Sequence, residues 1–177
     1  MTAQDLRQKV ANTAASQEQS VASAAYWREV LPVNWRGPYP PQWCGAFTLW
    51  ALRMALGCDW TWEVGKGYLY RLRPTNSPEI GDICYMDKPY QHHAVLTAVG
   101  NDDNGRPYVI SQDGNSGPSP GMCLEQWRPR EKWTAFYSIE PLIQAALRDT
   151  LPSPRFDEPA NAIDFRLDDC LPKVETK

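Results

Sequence analysis

The sequence feature that most constrains the fold is a cysteine at the point where a proline-rich loop turns into a helix, within residues 42–57. Pro40 and Pro41 hold the approach extended, because proline fixes its own φ and disfavours helix in the residue before it. The apolar side chains that follow recur at three- and four-residue steps, at Phe47, Trp50, Ala51 and Met54. This spacing predicts an amphipathic helix that ends at Gly57, with Cys44 in its first turn.

A cysteine in the first turn of a helix lies near unpaired backbone N–H groups and the positive end of the helix dipole. Both favour the thiolate, which lowers the pKa of the thiol and makes Cys44 a candidate nucleophile. A structural interpretation stands beside this one, because a free cysteine also packs in protein cores as a small hydrophobic residue. The position at a helix start favours the nucleophile but does not by itself decide between the two.

The composition excludes several classes of function. The chain has 177 residues, 42% apolar and 22% charged, which is typical of one soluble globular domain with tails. Its net charge of −3 gives no attraction to nucleic acid, and no apolar run approaches the roughly 20 residues of a membrane span. The first residues lack the features of a secretory signal. We therefore expect a protein made in the cytoplasm without a signal peptide, with no nucleic-acid partner and no membrane insertion.

The cysteines and histidines do not follow a metal or disulfide pattern. The five cysteines are widely spaced without a C-x-x-C pair, and the two histidines, His92 and His93, are adjacent. Such spacing indicates neither a zinc site nor a disulfide framework. We therefore expect no metal and no other cofactor.

The remaining pattern predicts an α+β fold. One helix is expected from about Gln17 to Leu31, ahead of the cysteine helix. Short apolar runs then predict strands over 83–86, 93–99, 108–112 and 134–139, the middle two as an antiparallel hairpin, with a last helix over 142–149. The glycine, serine and proline residues of 113–121 predict an irregular loop. Helices first and antiparallel strands after them indicate the α+β class.

A thiolate nucleophile needs a general base, and a third group that fixes the tautomer of that base. Side chains alternate between the faces of a strand, so His92 and His93 point to opposite faces and only one of them can face Cys44. If the hairpin turn spans 100–106, pairing places His93 opposite Asp113, with their Cβ atoms ~5 Å apart. Asp113 would then hold the His93 ring, and His92 would lie at the surface or rim. A slip of one residue would turn Asp113 away, and Asp113 fits a turn residue equally well.

Three segments occur in a recognisable order along the chain. The first is Trp43-Cys44-Gly45-Ala46-Phe47. The second is Gly81-Asp82-Ile83-Cys84-Tyr85-Met86, followed by His93-Ala94-Val95-Leu96. The third is Gln112-Asp113-Gly114-Asn115. Together, over residues 40–140, they resemble the CHAP and NlpC/P60 group of papain-like cysteine peptidases and amidases, which includes phage endolysins and bacterial cell-wall hydrolases.

The resemblance implies a role for each matching residue. Cys44 would be the nucleophile, His93 the general base and Asp113 the orienting acid. Asn115 would be a further polar site residue, and in some relatives an asparagine is itself the orienting group. The Cys44 backbone N–H, together with Gln42, would donate hydrogen bonds to the oxyanion of an acyl-transfer intermediate.

The resemblance also implies an organisation of the chain. A papain-like fold packs N-terminal helices and the nucleophile helix on a small antiparallel sheet. We expect an N-terminal helical segment (1–31), a papain-like hydrolase domain (32–148) and a polar C-terminal extension (149–177). Aromatic residues are candidates for a substrate-binding groove, because their faces suit both sugars and peptides, although core packing explains them equally well. They are Trp43, Trp60, Trp62, Tyr68 and Tyr70.

The leading functional hypothesis is a cysteine hydrolase that cleaves amide bonds of peptidoglycan or its stem peptides through a thioester. It would act as an N-acetylmuramoyl-L-alanine amidase or as a peptide endopeptidase. Without a signal peptide, it would reach the wall or periplasm after lysis or through a dedicated secretion system. By family analogy, a delivered effector would have a secretion component or an immunity protein as partner. Two alternatives remain: a protein-directed cysteine protease or deamidase, and a non-catalytic wall-binding module.

Overall fold

The computed structural model describes residues 1–117 and 121–148, in which helices and one antiparallel sheet give an α+β arrangement. The helices are α1 (Ala3–Ala15), α2 (Ser23–Val30), α3 (Cys44–Leu56) and α4 (Glu140–Leu147), and 3₁₀ turns lie at Leu69–Arg71 and Arg130–Lys132. The strands are β1 (Arg73–Thr75), β2 (Ile83–Met86), β3 (His92–Asn101), β4 (Pro107–Ser116), β5 (Met122–Pro129) and β6 (Ala135–Ser138). The extension expected over 149–177 lies outside the described residues.

The sheet has six strands in the order β1-β6-β2-β3-β4-β5, and every neighbouring pair is antiparallel. Its centre is the long hairpin of β3 and β4, which the sequence predicts. Because β3 and β4 are neighbours, side chains from both strands can meet at one end of the sheet.

Helix α3 contacts both α1 and α2, and it also packs on β3 and β4 of the sheet. The predicted helix is confirmed, and so is its end, where Gly57 adopts the left-handed conformation with φ of 72°. The predicted apolar stripe is wrong at Met54, which is exposed, whereas Leu52 and Ala55 are buried. The reason is that α3 is covered on two sides, so its buried surface is wider than one stripe.

The N-terminal segment shares the core of the rest of the chain. Leu6 and Val10 of α1 belong to the same buried cluster as residues of α3 and the sheet. The buried guanidinium of Arg7 also donates to the buried Asp82 carboxylate at 2.7 Å, just before β2. Helix α1 is thus fixed to the sheet both by apolar burial and by a satisfied ion pair.

Two expectations about the chain are wrong. Residues 17–31 do not form one helix, because α1 ends at Ala15 and α2 begins at Ser23. The intervening backbone pairs with β5, where Gln19 N–H donates to the Cys123 carbonyl and Cys123 N–H donates to the Ser20 carbonyl, both at 2.8 Å. Residues 113–121 are also not all loop, since β4 continues to Ser116 and pairs there with β5. Both departures come from pairing with a strand that the sequence pattern did not indicate.

Among the residues that the structure describes, no helix is both long and apolar enough to cross a membrane.

Candidate active site

Cys44 is the first residue of α3 and is only 5% exposed. The four first N–H groups of a helix have no partner within the helix, so they point towards the region of the sulfur. Trp43 caps the helix without a side-chain hydrogen bond to its backbone, which leaves those N–H groups available to a bound anion.

Close packing brings the sheet up to this helix start. A Cβ atom added at Gly114 of β4 would lie 2.6 Å from Cβ of Phe47, one turn after Cys44. A Cβ atom added at Gly45 would lie 2.5 Å from the indole of Trp62 and 3.4 Å from Nδ1 of His93. Gly114 is therefore required by contact distance, whereas at Gly45 the Trp62 indole would have to move, and the two glycines allow strand, helix and the Trp62 loop to meet around the thiol.

His93, at the start of β3, lies beside the sulfur of Cys44. Its Nδ1 lies 3.8 Å from Sγ of Cys44. Aromatic rings surround its imidazole: Tyr85 at 5.3 Å between centroids, Trp62 at 6.2 Å and Tyr68 at 6.4 Å. The pairing of Cys44 with His93 that the sequence predicts is thus present as a spatial contact.

Asp113 bonds to the other histidine. Its Oδ2 accepts a hydrogen bond from Nε2 of His92 at 2.7 Å, and both side chains are buried. The expectation that His93 lies opposite Asp113 is wrong, because Asp113 pairs with Ala94. The expectation that His92 lies at the surface or rim is also wrong, since His92 is 3% exposed.

A β-bulge explains this change of register. The pairing of β3 with β4 shifts by one residue between Leu96 and Ala98, where Thr97 Oγ1 donates to the carbonyl of Ile110 at 3.1 Å. One extra residue on one strand exchanges the faces of every residue beyond it. Asp113 therefore shares a face with Ala94 and His92 instead of His93.

The Asp113 carboxylate is held from several directions. Ser111 Oγ donates to its Oδ1 at 2.6 Å, and Nη1 of Arg128 in β5 lies 2.6 Å from its Oδ2. Ser116 Oγ donates to Oδ2 at 3.4 Å. These donors satisfy the hydrogen-bonding capacity of a fully buried carboxylate and fix its orientation.

The electrostatics of the site favour a thiolate and an imidazolium. Burial raises the pKa of the Cys44 thiol, but hydrogen bonds from His92 and His93 and their positive charges outweigh it and lower this pKa to about 5. Burial lowers the pKa of His92, but the hydrogen bonds to Asp113 and to Cys44 outweigh it and raise this pKa to about 9. Between these two values the site holds an ion pair.

Gln42, two residues before Cys44, contacts Asn115 of β4. Asn115 Nδ2 donates to Oε1 of Gln42 at 2.7 Å. Asn115 has a left-handed backbone with φ of 58°, an uncommon conformation that asparagine tolerates better than most residues. The bond uses the carbonyl oxygen of Gln42 and leaves its NH2 group for another acceptor, as the predicted oxyanion role requires.

The predicted substrate-binding aromatics divide into two groups. Trp43 is 2% exposed and stacks on Tyr26, and Tyr68 is fully buried, where its hydroxyl donates to Thr48 Oγ1 at 2.7 Å. Both are core residues, so their predicted contact with substrate does not fit this structure. Trp60 and Trp62 are partly exposed and stay candidates for a substrate-binding surface.

Sequence reasoning missed two side chains of the site, Arg128 and Ser111. Arg128 lies on β5, which was not predicted as a strand, although the run Met122–Trp127 is bounded by Gly121 and Pro129, a known strand signal. Ser111 is a buried strand residue whose role depends on its position two residues before Asp113 on the same face.

Over the described ranges 1–117 and 121–148, no group of histidine, cysteine, aspartate and glutamate side chains could hold a metal ion. The cysteines of these ranges, Cys44, Cys58, Cys84 and Cys123, are all free thiols. Compared with known protein families, curated proteins and solved structures, the chain has no match.

Proposed function

We propose that this protein is a cysteine hydrolase that cleaves amide bonds of bacterial peptidoglycan through a thioester intermediate, on a papain-like fold. The observation that carries the proposal is the set of contacts at the start of α3: a cysteine with a pKa of about 5, two imidazoles, and a buried carboxylate on one of them. A cysteine that only fills space in a core needs none of these partners.

The chemistry follows from the arrangement. The Cys44 thiolate attacks the amide carbonyl carbon and forms the S–C bond, while the carbonyl oxygen becomes an oxyanion. The Cys44 backbone N–H and the Gln42 side chain donate to this oxyanion. An imidazolium gives its proton to the leaving amine as the C–N bond breaks, and the thioester remains. The imidazole then takes a proton from water, which attacks the thioester and releases the acid and the thiolate.

Two imidazoles lie near the thiol, and one of them carries the proton. The sequence predicts that His93, which lies near the sulfur, has this role, and this stays a prediction. His92 is the histidine that Asp113 supports, because the Asp113 carboxylate accepts a hydrogen bond from its Nε2. The other ring nitrogen of His92 is then available to the Cys44 thiol. We therefore propose that His92 carries the proton and that His93 is a second imidazole that supports the thiolate.

Peptidoglycan is proposed as substrate from the resemblance of three segments, and the site is compatible with a slender substrate. Cys44 is nearly buried and the Trp62 indole lies against Gly45 beside it. A single extended peptide strand fits such access more easily than the surface of a folded protein does. Delivery to the wall or periplasm, an immunity protein and a secretion component stay predictions of the family analogy.

The experiment is digestion of purified peptidoglycan by the wild type and by Cys44→Ala, with mass spectrometry of the released fragments. A matched control is Cys58→Ala, because Cys58 is another buried free thiol, but one whose pKa burial raises to about 11. We expect the wild type and Cys58→Ala to release fragments and Cys44→Ala to release none. If the folded wild type releases nothing, the peptidoglycan proposal is wrong, and the same assay on protein substrates tests the protease or deamidase alternative.

A further inference from the structure

The carboxylate of Asp113 is shared between two cations. Its Oδ2 lies 2.7 Å from Nε2 of His92 and 2.6 Å from Nη1 of Arg128. Arg128 comes from β5 and His92 from β3, so Asp113 on β4 joins three adjacent strands. An orienting carboxylate needs only the histidine, and the arginine is therefore an additional feature of this chain.

Arg128 is itself held in place by an aromatic ring. Its guanidinium lies 5.2 Å from the ring centroid of Trp133, and that ring stacks on the His92 imidazole at 6.3 Å with an angle of 21° between planes. Arg128, Asp113, His92 and Trp133 thus form a closed ring of contacts. The side chain of Arg128 is 18% exposed, so its charge is screened less than that of a surface arginine.

Resting on the proposed hydrolase mechanism, we propose that Arg128 is a positioning residue that balances the charge of Asp113 whenever His92 gives up its proton. With thiolate, imidazolium, carboxylate and guanidinium all present, the site is neutral. After acylation the sulfur and His92 are both neutral, and Asp113 still has Arg128 as counter-charge. Without Arg128, proton transfer would leave a buried carboxylate without a cation, which is unfavourable.

Loss of Arg128 would change the pKa of His92. A carboxylate without its guanidinium holds the imidazolium proton more strongly, so the pKa of His92 rises and the proton is harder to transfer. The ionisable groups around His92 are Cys44 of α3, Asp113 of β4, the neighbouring His93, and Tyr90, whose ring lies 6.0 Å away in the preceding loop. Arg128 acts on His92 through Asp113.

The test is the titration of His92 by ¹⁵N spectra of the imidazole nitrogens, which needs no substrate. The chain has two histidines, and the His93→Gln variant assigns both signals. For Arg128→Gln we expect the His92 midpoint to rise by roughly one pH unit or more. For Arg128→Lys, which keeps the charge, we expect a rise of less than half as much. Arg130→Gln is the matched control, since Arg130 stacks on Phe136 and should leave the midpoint unchanged.

Removing any nearby cation raises the pKa of an imidazolium, so the role of Asp113 is isolated by a double-mutant cycle. In the Asp113→Asn background, Arg128→Gln should shift the His92 midpoint by at most half of its effect in the wild type. An equal shift in both backgrounds would overturn the proposal. An unchanged His92 midpoint in Arg128→Gln together with a lowered melting temperature would also overturn it, because a purely structural arginine gives that result. If Arg128→Gln fails to fold, the same cycle with Arg128→Lys applies the same criterion to a smaller shift.

Failure of this inference is distinguishable from failure of the proposed function. If peptidoglycan is cleaved, Arg128→Gln should lower kcat at least tenfold and leave KM nearly unchanged. If peptidoglycan is not cleaved, the imidazole titration still decides whether Arg128 balances Asp113.

Discussion

The carboxylate of Asp113 bonds to Nε2 of His92 at 2.7 Å, whereas Nδ1 of the neighbouring His93 lies 3.8 Å from the sulfur of Cys44. His92 also bonds to the Cys44 thiol, so it makes both contacts of the histidine in the usual triad arrangement, and His93 is a second imidazole beside the sulfur. Cys44 lies at the end of β3, where side chains from both faces of the strand reach it, and both imidazoles lower the pKa of its thiol.

The two histidines should differ in their effect on the thiol. In His92→Gln, which removes the imidazolium and with it the link between Asp113 and the thiol, we expect the pKa of Cys44 to rise by roughly one to two units. In His93→Gln we expect a smaller rise, because His92 and Asp113 remain. The measurement is the pH dependence of thiolate absorbance at 240 nm, with Cys44→Ala as the blank. A larger effect of His93→Gln than of His92→Gln would return the proton-carrying role to His93.

The raised pKa of His92 predicts a stability that depends on pH. The folded pKa lies above the unfolded value of 6.5, so the protonated form stabilises the fold fully below about pH 6.5, and this contribution is lost as pH rises towards 9. Cys44→Ala removes the coupled thiol, although Asp113 still raises the pKa. The difference in unfolding free energy between Cys44→Ala and Cys44→Ala/His92→Gln should therefore fall by about 1–3 kcal/mol from pH 6 to pH 10. A difference that grows with pH would contradict this assignment.

Gly114→Ala should displace the sheet from the nucleophile helix. The new Cβ would lie 2.6 Å from Cβ of Phe47, an atom next to the α3 backbone that cannot rotate away. We expect a loss of about 1–3 kcal/mol in unfolding free energy and a slower alkylation of Cys44. Gly100→Ala is the control, because its Cβ would lie 2.7 Å from the ring end of Tyr108, a side chain that can move. Equal losses in the two variants would show that close packing on α3 is not the cause.

Gln42 and Asn115 should differ in their effect on catalysis. Gln42→Ala removes a proposed oxyanion donor, and we expect kcat to fall by roughly 10²-fold with little change in KM. Asn115→Ala removes the hydrogen bond that holds Gln42 but leaves the proposed donor itself in place, so a smaller fall is expected. The measurement is steady-state kinetics on a peptidoglycan fragment that the wild type cleaves. A rise in KM alone for Gln42→Ala would assign Gln42 to substrate binding instead.

Local sequence signals predicted the elements around the site. The proline-rich approach, the helical spacing and Gly57 defined α3, and the apolar runs located β2, β3, β4 and β6. These signals depend on neighbouring residues alone, and they predicted the correct element wherever the apolar residues followed one dominant period. The order of helices and antiparallel strands was also sufficient for the α+β class.

The histidine partner of Asp113 could not be predicted in the same way. Hairpin register was inferred from an assumed turn over 100–106, whereas the strands extend to Asn101 and Pro107 and contain a bulge near Thr97. A bulge changes which face a residue occupies without leaving a period in the sequence. The edge strand β5, with its Arg128, was missed because its residues show no clear alternation, and the bounding Gly121 and Pro129 were the one local signal of a strand.

Whether Cys44 is an activated thiolate is decided by how fast iodoacetamide alkylates it at different pH values. The alkylation of Cys44 is measured by peptide mass spectrometry. We expect a rate that is half-maximal near pH 5 and is already high at pH 6, while Cys58 stays unreactive. A half-maximal rate near pH 9, the value of an ordinary thiol, would show that Cys44 is a buried core cysteine and not an activated nucleophile.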